Sequence, residues 1–126
     1  MKRPSSLGQV AAWSDNRREF HYHLADFLDQ FRLQRQATMF AHEPERLATR
    51  FDGGEICDAY LAAVAVALAR EVHALPPDWA GAESRKLSRP WFASPGVAVR
   101  AMLLLESPGP FRERNLFVSE NALARA

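Results

Sequence analysis

Apolar residues recur at helical intervals along much of this chain, and one stretch is apolar on nearly every side. From Glu55 to Val72, Ile56, Ala59, Tyr60, Ala63, Val64 and Ala67 fill one helical face, while Leu61, Ala65, Leu68 and Val72 fill much of the other. A helix with no polar side is one that other elements surround. Its alanines add helix propensity and let neighbours approach closely. His73 to Pro77 ends it, because successive prolines cannot continue the hydrogen-bond ladder.

Upstream, Phe20, Leu24, Phe27, Leu28 and Phe31 recur at steps of three and four, which predicts an amphipathic helix from about Asp15 to Leu33. Ser14 or Asp15 offers its N-cap. Residues 1–13 hold Pro4, Ser5, Ser6 and Gly8 with no sustained period, and they predict a flexible N-terminal arm on which Val10 and Trp13 can dock. Gln34 to Ala41 reads as a continuation of the helix or a second short one, with Met39 and Phe40 facing inward. Pro44 fits the first position of a short helix to Arg50 carrying Leu47. Asp52-Gly53-Gly54 then turns the chain.

Downstream, Pro76 to Gly96 mixes Pro, Gly and Ser with Trp79, Trp91 and Phe92, the signature of a long irregular loop with short helical turns or a function of its own. Val97 to Glu106 suits a buried strand as well as a helix. Helix is favoured because Ala101, Met102 and Leu103-Leu104-Leu105 form helices readily and a lone strand would lack a partner. Pro108 and Pro110 break the chain, Phe111 to Arg114 makes one turn, and Ser119 caps a final short helix through Leu123. The expected fold class is all-α: a compact bundle of about four to six helices around the central apolar one. Residues 14–126 form its single domain.

Composition changes this picture little. At 126 residues, 48% apolar and 25% charged, the chain is large enough for a true core without disulfide or metal support. Sixteen Lys and Arg against 15 Asp and Glu give a net charge of +1, which argues against nucleic acid as a direct ligand. Lys2 and Lys86 are the only lysines. The arginine-rich balance reads either as carboxylate-forking interfaces or as simple compositional bias. A single cysteine, Cys57, excludes an intrachain disulfide, and no stretch reaches the ~20 apolar residues that span a bilayer. A cytoplasmic location without membrane contact is the expectation.

No complete catalytic, metal or nucleotide motif stands out, so neither a cofactor nor a bound metal is expected. His21 and His23 point about 200° apart on a helix and do not form a ligand pair. His42 and His73 are isolated and suit helix ends. Glu19, His23, Asp26 and Gln30 share a polar flank that could be drawn as an acid–base site but reads more simply as a solvated face. Cys57 lies where a helix dipole favours thiolate, yet its apolar neighbours suit an inert buried thiol. Asp58 is the one charge between Glu55 and Arg70, held either by an arginine from elsewhere or by the first-turn dipole, the latter weighing more. Tyr60 needs a hydroxyl partner if buried. Gly53-Gly54 lacks the Lys-Ser/Thr of a phosphate loop, and no nucleophile elbow occurs.

The densest polar signal lies between Glu106 and Asn121, where Phe111, Leu116, Phe117 and Val118 alternate with Arg112, Arg114, Asn115, Glu120 and Asn121. This mixture suits an interface as well as a terminal segment docked for stability. Three stretches carry a resemblance: Asp58-Ala59-Tyr60-Leu61-Ala62-Ala63, then Arg89-Pro90-Trp91-Phe92, then Glu106-Ser107-Pro108 with Phe111 to Leu123. In these the chain resembles a family of small bacterial helical proteins associated with toxin–antitoxin-like gene pairs, beside nucleotidyltransferase-like toxins and sometimes fused to a helix-turn-helix. The resemblance implies an antitoxin-like interaction module whose partner is a toxin-like protein. The absence of a separate DNA-binding unit weighs against direct autoregulation. Homo-oligomerisation is compatible with this reading.

The candidate interaction residues are thus Asp58, Tyr60, Trp91, Phe92, Arg112, Arg114, Asn115, Glu120 and Asn121. The rival expectation is a small-molecule binder or enzyme with an aromatic pocket around Trp79, Trp91, Phe92, Tyr60 and Asp58.

Overall fold

The structure, a computed structural model, describes residues 2–123. It is mostly helical, with 55% helix and 3% strand. The helices are α1 (Leu7–Ala12), α2 (Arg17–Gln34), α3 (Gly54–Glu71), α4 (Val97–Glu106) and α5 (Gly109–Arg112). Two-residue strands β1 (Trp91–Phe92) and β2 (Leu116–Phe117) pair in parallel, Trp91 opposite Leu116 and Phe92 opposite Phe117. Short 3-10 turns occupy Ala37–Phe40, Asp78–Gly81 and Glu83–Arg85.

Helix α3 is the axis of the molecule. Every residue from Cys57 to Ala69 is buried, as an all-round apolar helix requires. It packs against α2, α5, β2 and the 3-10 turns of the long loop. Gly53 begins it in the left-handed region at φ 82°, where glycine pays no Cβ penalty. Gly54 is fixed by packing, since a Cβ there would collide with the Leu47 carbonyl group.

Helix α2 buries Phe20, Leu24, Phe27, Leu28 and Phe31, the stripe expected from spacing. Its N-cap is Asn16 rather than Ser14 or Asp15: Asn16 Oδ1 accepts from Glu19 N at 2.8 Å, and Glu19 Oε1 accepts from Asp15 N at 2.8 Å. This reciprocal pair closes the first turn and engages Glu19 in capping. Ser14 instead donates its hydroxyl to Val10 O at 2.6 Å, fastening the end of α1.

The flexible arm is corrected over most of its length. Ser6 caps α1 by accepting from Gln9 N, and Leu7, Val10 and Ala11 are buried against the core. A helix of six residues leaves too short a period to read in sequence. Its last carbonyls are held from afar by Arg50, which donates to Ala11 O at 2.8 Å and to Ser14 O at 3.1 Å.

The short helix expected at Pro44–Arg50 does not form. Leu47 is buried as expected, but the backbone N–H groups of Leu47 and Ala48 donate to Asp58 Oδ1 and Oδ2 at 2.7 and 3.0 Å. A carboxylate from α3 offers those donors stronger partners than a one-turn helix could. Ser119 likewise starts a turn rather than a final helix, through Asn121 N to its Oγ and Ala122 N to its carbonyl. The last three residues of the expected domain lie outside the described residues.

Val97–Glu106 is helical, as favoured, but not as a core element. Only Leu103 is buried on α4, at 6% exposure, whereas Val97 is 87% and Leu105 85% exposed. The short β-pair, unread in sequence, seats this helix: α4 packs on β2.

Candidate functional site

The sequence-predicted residues separate into an interior set and a surface set. Asp58 and Tyr60 belong to the interior. The Asp58 carboxylate is 4.0 Å from Arg85 Nη1, which also donates to the Asp58 carbonyl at 3.2 Å. Arg85, fully buried, further donates to Pro44 O at 2.6 Å and Glu43 Oε2 at 3.2 Å and lies 4.9 Å from the Trp79 ring centre. The helix-dipole account of Asp58 is therefore incomplete. Its two backbone donors and the nearby guanidinium give it specific partners, and Arg85 was not singled out because its cue is spatial only.

Tyr60 sits edge-on to Phe111 and Phe20, with ring centres 4.9 and 6.0 Å apart. Burial, with the neighbouring Cys57, pushes its hydroxyl up to about 12. The Cys57 thiol is raised to about 12 by burial first and by the Asp58 charge second, as suits an inert buried thiol. The clefts lined by Trp79 and by Trp91 include neither Asp58 nor Tyr60, both of which are buried.

Arg114 is also interior. Its Nη1 donates to Pro110 O and its Nη2 to Ala80 O, both at 2.7 Å. Burial lowers its basicity from the ordinary value, with Glu113 acting the other way. Asn115, left-handed at φ 62°, donates its side-chain amide to Leu87 O at 2.7 Å, while its carbonyl accepts from Trp91 N at 2.9 Å. Ser107 Oγ bridges Leu116 O and Val118 N. The Glu106–Asn121 segment thus fastens the Pro76–Gly96 loop to the core. Two stretches read separately as interface bind each other.

The surface set is Arg112, Glu120 and Asn121, which are exposed, with Trp91 and Phe92 half-buried. Phe92 stacks on Phe117 with ring centres 5.0 Å apart, and the Arg100 guanidinium lies 5.1 Å from the Phe92 ring on its own account. Around them Arg89, Pro90, Trp91, Phe92, Pro95 and Arg100 line an open cleft of about 580 Å³. No carboxylate lines it. Beside the cleft stands α4, whose outward side is formed by Val97, Ala98, Ala101, Met102, Leu104 and Leu105, all exposed. Exposed valines and leucines scattered singly are ordinary; here they make up a whole helical side. The sequence signal was present in the Val97–Leu105 run, but its apolar character pointed inward rather than outward.

His21 packs edge-on against Phe20 and Tyr60, and burial lowers its pKa with help from Arg17. His23 meets the rings of Trp13 and Tyr22, while His42 and His73 are exposed. Among the described residues no group of three or more His, Cys, Asp or Glu is placed to hold a metal ion, and no helix is long and apolar enough to cross a membrane.

No protein-family model, curated protein or solved structure matches the chain.

Proposed function

We propose that this chain is a non-enzymatic protein-interaction module, antitoxin-like as the family resemblance implies, that binds a protein partner through α4 and the adjoining Trp91–Arg100 surface. One observation carries the reading: α4 presents Val97, Met102, Leu104 and Leu105 to solvent and keeps only Leu103 inside. Each such side chain gains roughly 1.5–3 kcal/mol when a partner removes it from water. A fold that buries only Leu103 of this helix leaves the gain of the other apolar side chains for binding. Glu120 borders the helix end, its N–H 3.4 Å from Glu106 Oε1. Asp58, Tyr60 and Arg114 lie inside and act on the surface only by holding the scaffold beneath it.

The test is recovery of a partner from the native host with the tagged full chain, beside the double variant Val97→Glu/Leu105→Glu. The partner is expected to bind the parent at least tenfold more tightly, with the two proteins equal in circular dichroism and melting. Equal recovery by both, or no specific partner, refutes the reading.

A further inference from the structure

Resting on that reading of α4, we propose that the partner element it receives is an acidic amphipathic segment, whose apolar side lies on α4 and the Trp91–Phe92 floor and whose carboxylates reach Arg89 and Arg100. On a helical wheel of 100° per residue, Arg100, Leu104 and Val97 fall within about 60° of one another. Of these, Arg100 walls the cleft whose floor is Trp91 and Phe92 and covers the Phe92 ring, while Val97 and Leu104 continue its side of the helix beyond the cleft. A seat with a wall and a floor receives a convex element, the helix-on-helix or extended-segment mode of recognition.

Charge decides the chemistry of that element. The guanidiniums of Arg89 and Arg100 have no ion pair or hydrogen bond to any described residue, and the cleft between them holds no Asp or Glu, the neighbouring cleft at Arg89 being lined by Glu55. Seven other arginines, Arg32, Arg35, Arg46, Arg50, Arg85, Arg112 and Arg114, bind carbonyl oxygens. A basic occupant would set like charge beside two guanidiniums and a neutral one could offer only carbonyl oxygens, whereas carboxylates return forked hydrogen bonds in which both partners are charged. Two features disfavour a second copy of this chain. It would bring another pair of arginines to the same seat, and the one acid of its α4, Glu106, lies about 120° around the helix from Arg100.

A display library of random 16-residue peptides, panned against the immobilised full chain, tests the proposal. Enriched peptides are expected to carry apolar residues at helical spacing with flanking Asp or Glu and a net negative charge. The best of them should bind Arg89→Glu/Arg100→Glu at least tenfold more weakly than the parent, and its Lys-for-Glu counterpart should prefer that variant. Neutral or basic winners, no reproducible enrichment, tighter binding of a 20-nucleotide oligo-dT, or a stable dimer of the free chain would overturn it. A host partner lost with Val97→Glu/Leu105→Glu but kept with the arginine variant would leave the docking role of α4 standing and remove only the acidic partner.

Discussion

At the scale of single residues, buried charge in this protein serves to hold backbone. Asp58 accepts from the main chain at Leu47 and Ala48, and Arg85 donates to the main chain at Pro44 and Asp58. Segments without regular structure have orphaned N–H and C=O groups, and charged side chains satisfy them where no ladder exists. Asp58→Asn should therefore lower the unfolding free energy by about 1–3 kcal/mol in urea titrations, because the new amide can face only one of the two N–H groups with an acceptor. An unchanged midpoint would mean that Leu47 and Ala48 find other acceptors. Burial of Tyr60 and Cys57, both raised to about 12, gives a second expectation. In each the neutral form is favoured in the folded state, so the folded protein holds its protons longer than the unfolded one. Stability should be intact below about pH 9, decline once pH passes the ordinary thiol and phenol values, and be lost as it rises through 12. Absorbance at 295 nm should follow the late ionisation of Tyr60 toward pH 12, and Cys57 should stay unmodified by a thiol reagent at pH 8 until denaturant is added.

At the scale of elements, the chain contains helices of two kinds. Helix α3 is enclosed from Cys57 to Ala69, whereas α4 rests on β2 with Leu103 alone buried. Local opening costs follow such contacts. Native-state hydrogen exchange should find α3 amides opening only with global unfolding and α4 amides opening several kcal/mol more cheaply, as a docking element free to adjust would. Comparable protection in both would show that α4 is held by more than its packing on β2. The same contrast explains what could be read beforehand. Helices α2 and α3 were legible because eighteen residues each give a period enough turns to declare itself. Pro44–Arg50 looked like a helix because local rules favoured one, and a carboxylate 10 residues further along the chain from Ala48 overrode them. The β-pair joins residues 25 positions apart through two-residue strands, too short for any alternation to mark. For α4, sequence gave the element and hid its use, since an apolar run predicts burial and cannot say whether the burying surface belongs to the same chain.

At the scale of the whole molecule, the stretches 58–63, 89–92 and 106–123 largely serve to close the fold. Asp58 fastens the segment before α3, Ser107 bridges α4's end to β2, and Arg114 with Asn115 ties the long loop to the C-terminal segment. Part of the candidate site was thus legible as residues but not as roles, because a side chain that satisfies a distant carbonyl and one that awaits a partner look alike in sequence. Arg112 and Arg114, two positions apart, separate the cases. Arg112 is exposed and donates to Ser107 O at 2.9 Å, five residues away; Arg114 is buried and spans from Pro110 O to Ala80 O, 34 residues away. Replacing Arg114 by Met keeps the apolar stem and leaves two carbonyls without a donor, which should cost roughly 2–4 kcal/mol, since hydrogen bonds to charged groups contribute about 1.5–3 kcal/mol each and partly overlap here. It should also expose the Pro76–Gly96 loop to limited proteolysis under native conditions, because the Ala80 tether is lost. Arg112→Met should cost under about 1 kcal/mol and leave the loop resistant, as expected of an exposed contact. If both variants melt alike and are cut alike, the C-terminal segment does not fasten the loop, and its arginines return to the set of residues available to a partner.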